Sequence, residues 1–392
     1  MNRLVEVLKV SLCLGLTSFG GPIAHLAYFR EEYVKRRRWI TEESYADLVA
    51  LCQFLPGPAS SQVSIAIGIG RAGLLGGLLA WVGFTLPSFI LMIAFAFVLQ
   101  GLDVRDTGWL HGLMIAAVAV VAQAVWGMAA KLANGKGTAA IAIASAITAL
   151  SIPSPFIQAG VIAASGLIGW RCLRADDARI YEPLLSTISR RTGACFLSTF
   201  GVLLLALPLL HVALTGHGLA LFDSFYRAGA LVYGGGHVVL PLLQQSVVPT
   251  GWMTEDQFLA GYGAAQAVPG PLFTLAAYLG FVSEPTPNNI EGALLAVVAI
   301  FLPAYLLVAG SLPFWNVIRT KPAFRSALSG INAGVVGILM AALYDPVWMS
   351  AIRSGADFAL ALTAFGLLTV WKMPPWVVVA VSTLGGLAVQ YI

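Results

Sequence analysis

Charged side chains are scarce in this sequence: Asp, Glu, Lys and Arg together supply 10% of 392 residues, where a soluble domain carries about 25%. With 58% of the chain hydrophobic, that shortage excludes an ordinary water-soluble domain. Cysteine is scarce too. Cys13, Cys52, Cys172 and Cys195 have neither metal-ligand spacing nor the pattern of a disulfide framework, and they read as reduced structural thiols. The five histidines, His25, His111, His211, His217 and His237, show no metal spacing, so neither a metal nor a cofactor is expected. A phosphate-binding loop, a dinucleotide fingerprint, a zinc-protease motif and a nucleophile elbow are all missing. That argues against an ATP-driven pump, a membrane hydrolase or any other enzyme. The net charge of +4 lies mostly in short loops, where it reads as membrane topology and not as an affinity for nucleic acid.

What is abundant is apolar sequence in long runs. Leu74–Leu99, Leu113–Ala130, Phe196–Leu214, Ala293–Leu312 and Trp376–Ile392 approach or exceed the ~20 residues that cross a bilayer. They are rich in Ala, Gly and Leu, which suits packed helices better than barrel strands. The expected fold class is therefore an all-α polytopic membrane protein. Met1–Leu16 has a weak basic start but leads to Phe19-Gly-Gly-Pro22 instead of a small-residue cleavage site, so it is not read as a cleaved signal.

The chain repeats itself. Phe19-Gly-Gly-Pro22, Trp39-Ile-Thr-Glu-Glu43 and Gln53-Phe-Leu-Pro-Gly-Pro58 return as Tyr233-Gly-Gly-Gly236, Trp252-Met-Thr-Glu-Asp256 and Gln266-Ala-Val-Pro-Gly-Pro271, with 14 residues from Trp to Gln in both copies. Leu86-Pro87 and Leu302-Pro303 follow in the same order. Two homologous halves, 1–175 and 221–392, are expected, joined by a charged cytoplasmic connector over 176–195 and an extra linking transmembrane helix over 196–220. The extra span would invert the second half. Loop charge agrees: Arg30, Lys35, Arg36, Arg37 and Arg38 precede Trp39, whereas Gln244–Gly251 has no Lys or Arg. Since positive loops stay cytoplasmic, the halves are read as inverted-topology repeats, a common plan for secondary transporters. A parallel repeat with one lopsided loop is the plainer alternative.

Pro56-Gly57-Pro58 and Pro269-Gly270-Pro271 interrupt helix-forming sequence, since proline removes a donor and clashes with the preceding turn. The glycines at Gly20-Gly21 and at Gly234, Gly235 and Gly236 are further weak points. Broken backbone survives in lipid only inside protein or against a water-filled cavity, and paired breaks in two halves point to a transporter's binding site. Half-helices starting after Pro58 and Pro271 offer free N–H groups and a positive dipole end. Ser60, Ser61 and Thr274 add hydroxyl donors, and Gln53 and Gln266 add amides; that equipment suits a tetrahedral oxyanion. Ser44–Gly70 is expected as a re-entrant hairpin with arms of about 12 residues or ~18 Å, its Pro-Gly-Pro tip near the midplane. Taken singly, each Pro-Gly-Pro is equally well a kink between packed helices.

Among ionisable residues, Arg71 and Arg227 are candidate intramembrane cations for the anion, with interfacial snorkelling as the plainer role, above all for Arg71. Asp223, one turn before Arg227, is the obvious structural partner. Asp47 and His237 are candidates for carrying protons. Thr41 and Thr254, followed by Glu42 and Glu255, read as helix N-caps.

Several motifs are similar to those of the chromate ion transporter family: Phe19-Gly-Gly-Pro-Ile-Ala-His25, Lys35-Arg-Arg-Arg-Trp39, Gln53-Phe-Leu-Pro-Gly-Pro58, Arg71-Ala-Gly-Leu-Leu-Gly-Gly77, Phe84-Thr-Leu-Pro-Ser88 and Tyr233-Gly-Gly-Gly-His-Val-Val-Leu-Pro241. The resemblance covers nearly the whole chain, in the long two-domain form. It implies chromate efflux across the bacterial cytoplasmic (inner) membrane, driven by the proton motive force, and chromate resistance. The implied partners are chromate, with sulfate as its chemical relative, protons and the lipid bilayer; a homodimer is left open. A sulfate or other oxyanion transporter, or an anion channel, is the alternative reading. Gly236 stands where the first half has Pro22, and no basic cluster precedes Trp252, so the halves are not expected to be equivalent.

Overall fold

In the first half, α1 (Arg3–Thr17) buries Val7, Val10, Ser11 and Leu14, one face of a helix, and stops before the glycine pair. α2 (Gly21–Phe29) continues into a π-helical turn, Arg30–Arg36. α3 (Glu42–Phe54) starts where the Thr41 side chain accepts the Ser44 N–H, and ends at Pro56-Gly57-Pro58. α4 (Ala59–Gln100), α5 (Gly108–Leu132), α6 (Lys136–Ser151) and α7 (Ile157–Cys172) complete the half. α8 (Arg190–Ala213), capped by Ser189, links the halves.

The second half repeats the order with α9 (His217–Leu231), α10 (Val239–Val247) and α11 (Glu255–Ala267, capped by Thr254). A 3-10 turn (Leu272–Thr274) leads into α12 (Leu275–Val282), followed by α13 (Asn289–Ser311). α14 (Pro322–Ala342) runs on through Leu343–Trp348 and Met349–Ala351, and α15 (Gly355–Thr369) and α16 (Pro375–Val389) close the chain. The computed structural model describes residues 3–18, 21–100, 108–152, 157–173, 188–214, 216–232, 239–315 and 321–389, and every regular element among them is helical. Five of these stretches are long and apolar enough to cross a membrane, and shorter apolar helices lie between them.

α4 is not one long rod. Ala72 and Gly73 leave helical geometry, with Gly73 at φ 73°. A Cβ on Gly68 would meet the Gly76 carbonyl and Ala80, although a straight helix would hold Gly68 and Gly76 about 12 Å apart. The chain therefore turns back, and 59–71 forms a half-length arm packed against 74–100. The second half does the same with separate helices: a Cβ on Gly280 of α12 would overlap Gly292 and meet Ala296 of α13.

The halves do not sit side by side; they exchange helices. α5 packs chiefly on α15 and α16 of the second half, and α14 packs on α6 and α7 of the first. The contacts are reciprocal at residue level. A Cβ on Gly112 would overlap the Ser382 carbonyl, and one on Gly330, its counterpart, would overlap the Ser165 carbonyl. An exchange in which each half makes the same contact to the other requires a pseudo-two-fold relation between them.

Candidate substrate site

Each Pro-Gly-Pro meets the residue just past the end of the opposite half's first helix. The Gly57 N–H, in the first Pro-Gly-Pro, donates to the Val232 carbonyl at 2.7 Å. The Gly270 N–H, in the second, donates to the Ser18 carbonyl at 2.9 Å. Ser18 and Val232 are equivalent residues, each next before the aromatic residue that opens a glycine break. Each half thus braces the other's interrupted backbone. Gly57 and Gly270 have φ of 123° and 94°, a region that L side chains rarely enter, which is why Pro-Gly-Pro occurs at both tips.

The two tips are equivalent in backbone and unequal in chemistry. On the first side Ser60, Ser61 and Gln62, all at most 3% exposed, form the start of α4. Gln62 Nε2 ties the tip by donating to the Pro56 carbonyl at 2.7 Å. The Gln62 N–H is the first to bond within the helix, to Pro58. That leaves the N–H groups of Ala59, Ser60 and Ser61 without a helical acceptor. Ser61 Oγ has no hydrogen-bond partner among the described residues. His25 stands against this turn, its Nδ1 3.3 Å from Ser60 Oγ. On the second side the positions of Ser60, Gln62, His25, Thr85 and Ser88 hold Phe273, Leu275, Val239, Phe301 and Ala304. Thr274 keeps its hydroxyl, but Oγ1 folds back onto the Pro271 carbonyl at 2.7 Å. The Thr274 N–H also bonds Pro271, inside the 3-10 turn. The free side-chain donors therefore gather at one half-helix; the second offers only the N–H groups of Leu272 and Phe273, ahead of the first bond in its turn.

The other candidates scatter. Gln53 is exposed, while Gln266 is half-buried with an unpartnered, buried Nε2. Arg71 reaches Glu6 at 3.0 Å and lies 5.1 Å from the centre of the Trp39 ring. Arg227 grips Asp223 with two bonds of 3.0 and 2.7 Å. Both arginines already face a carboxylate and are not free charges for an anion. Asp47 is buried on α3. Gly234, Gly235 and His237 lie outside the described residues. His25 was missed as a site residue: with no metal spacing it reads as a packing histidine, and its sequence signal, six residues past the break-opening Phe19, has no counterpart in the second half.

Sequence comparison places the architecture. The profile of the chromate transporter family matches residues 5–170 and 219–387, one stretch in each half. The chain belongs to the chromate transporter family. A chromate transport protein of Pseudomonas aeruginosa is 31% identical over 389 residues, covering 95% of this chain and 89% of that protein. A probable chromate transport protein of Synechococcus elongatus is 27% identical, covering 98% and 95%. YwrA of Bacillus subtilis, an uncharacterised transporter, is 29% identical over 97% of its own length but only 44% of this chain, so a whole relative corresponds to a single repeat. No solved structure matches. Members of this family are transporters, and the chain is a multi-pass membrane protein of that kind, built as two repeats.

Proposed function

We propose that this protein exports chromate across the cytoplasmic membrane as a secondary carrier, holding the anion where the first arm of α4 begins. The observation that carries the reading is the buried start of that arm, with three N–H groups and the Ser61 hydroxyl unspent. A helix N-terminus is a ready anion site, and this one lies at a break in both repeats, as substrate sites of repeat-built transporters do. The names of the relatives supply chromate as the first candidate among tetrahedral oxyanions; sulfate shares its shape and charge. The electrical part of the proton motive force is the energy source. A negative-inside potential expels anions by about 2.3 kcal/mol per charge per 100 mV, so a dianion has an outward drive of roughly twice that.

Inverted vesicles test this. Chromate should accumulate in them when a potential is imposed, and preloaded chromate should accelerate the entry of labelled chromate. Flux without such acceleration would mean a channel, and sulfate outcompeting chromate would move the reading to a sulfate carrier.

A further inference from the structure

The arginines leave the charge of this site unsupplied. Arg71 is held by Glu6 and Arg227 by Asp223. A helix terminus offers about half a charge, and a dianion drawn out of water needs more. The basic side chain touching that terminus is His25. It is 1% exposed, stands edge-on to Phe84 with ring centroids 5.5 Å apart, and meets Ser60 Oγ through Nδ1. A hydroxyl accepts from a protonated Nδ1 and donates to a bare one, so Ser60 suits the ring in either charge state. Nε2 makes no hydrogen bond among the described residues. The Ser18 carbonyl faces the ring and already accepts the Gly270 N–H that braces the second repeat. A charge on His25 therefore acts at the joint between the halves.

The remaining titratable groups on the surrounding elements have other surroundings. Tyr33 is buried on the turn after α2, and Tyr45 donates to the Leu26 carbonyl. Asp47 and Cys52 are buried on α3, and Arg71 and Glu6 hold each other. Tyr45 and the Arg71–Glu6 pair are thus engaged away from the His25 ring.

We infer that protonated His25 is the cation that meets the oxyanion, so that one proton and one dianion occupy the site together; this rests on the anion site proposed above. The consequence is a sign. A proton bound with the anion crosses with it, and the transported unit carries one net negative charge. The membrane potential still expels that unit, but acid outside opposes its exit. Exchange of the anion for an incoming proton has the opposite dependence.

Binding of chromate to the purified full-length protein, read as a thermal shift, separates the two ideas. Without the anion, burial keeps the His25 ring neutral, so the anion itself must recruit the proton. The advantage of the wild type over His25→Gln should therefore grow as pH falls from about 8 to about 5, from within about twofold to about tenfold. Chromate's own protonation is common to both proteins and cancels in the ratio. Ser61→Ala should weaken binding by the same factor at both pH values. A pH-independent ratio for His25→Gln, with Ser61→Ala weakened, overturns the proton role and leaves the site standing. Unchanged affinity in both variants overturns the site itself. Flux decides when wild type and His25→Gln are compared, because acid itself turns chromate into hydrogen chromate for both. In chromate-loaded proteoliposomes with the potential clamped at zero, acid inside should speed efflux more for the wild type than for His25→Gln; faster wild-type efflux with acid outside would establish exchange and reject co-movement.

Discussion

At the scale of single residues, the two arginines show how a partner changes a role. Asp223 has 1% of its side chain exposed and Arg227 holds it one helical turn away. Arg227→Gln would strand a buried carboxylate, at a cost of about 3–5 kcal/mol. We expect that variant to lose membrane abundance, and the charge-neutral pair Asp223→Asn, Arg227→Gln to recover both abundance and chromate flux; flux that stays lost at full abundance would instead give Arg227 to the anion. The hydroxyls separate in the same way. Ser61→Ala removes an unspent donor to a charged ligand, worth about 1.5–3 kcal/mol, and should weaken chromate binding by roughly tenfold or more. Thr274→Ala removes a hydroxyl bonded within its own turn and should change binding by less than about twofold. Equal losses in the two variants, measured by titration, would restore symmetry to the site.

At the scale of elements, backbone bonds brace both breaks, and on the first side the Gln62 amide adds to them. Gly57 combines a φ of 123° with the N–H that reaches Val232. A side chain there costs about 1–3 kcal/mol in strain, and a Cβ would also crowd Gln62 Nε2, whose bond to Pro56 closes the tip. Gly57→Ala should lower the unfolding temperature in detergent and depress flux. Ala at Gly201, which faces open space on α8, should leave both near wild type. The interruption at Pro56-Gly57-Pro58 was readable from the sequence because proline and glycine act locally. The end of the first arm was readable as the end of the hairpin expected over Ser44–Gly70; the tight reversal at Ala72-Gly73 was not, because it rests on the close approach of Gly68 and Gly76. The fate of the Thr274 hydroxyl was not, because a 3-10 turn and an α-helical turn share the same residues and differ in which carbonyl accepts.

At the scale of the whole molecule, exchange of α5 and α14 between the halves makes neither half complete. Expressed alone, the first half would leave the faces of α5 that cover α15 and α16 without a partner. Residues 1–175 and 188–392 expressed together should co-purify and restore chromate export, and each alone should be degraded; a first half that is stable and monomeric by itself would contradict the interlock. The pseudo-two-fold relation is compatible with an axis in the membrane plane or normal to it, and loop charge favours the former. Cysteines placed in 30–38 and in 244–251 should then label from opposite sides of the membrane.

The sequence alone determined the membrane class, the duplication and the positions of the two Pro-Gly-Pro breaks, and it raised the expectation of an anion at a half-helix start. All of these depend on composition or on residues near one another in the chain. Tertiary structure decided the rest. Which half carries the free donors, which arginine is already paired, and that each Pro-Gly-Pro is braced by the opposite repeat depend on contacts between distant segments. His25 belongs there too: its place six residues past Phe19 marks the motif but not a role, and only the fold lays it against Ser60 at the start of α4.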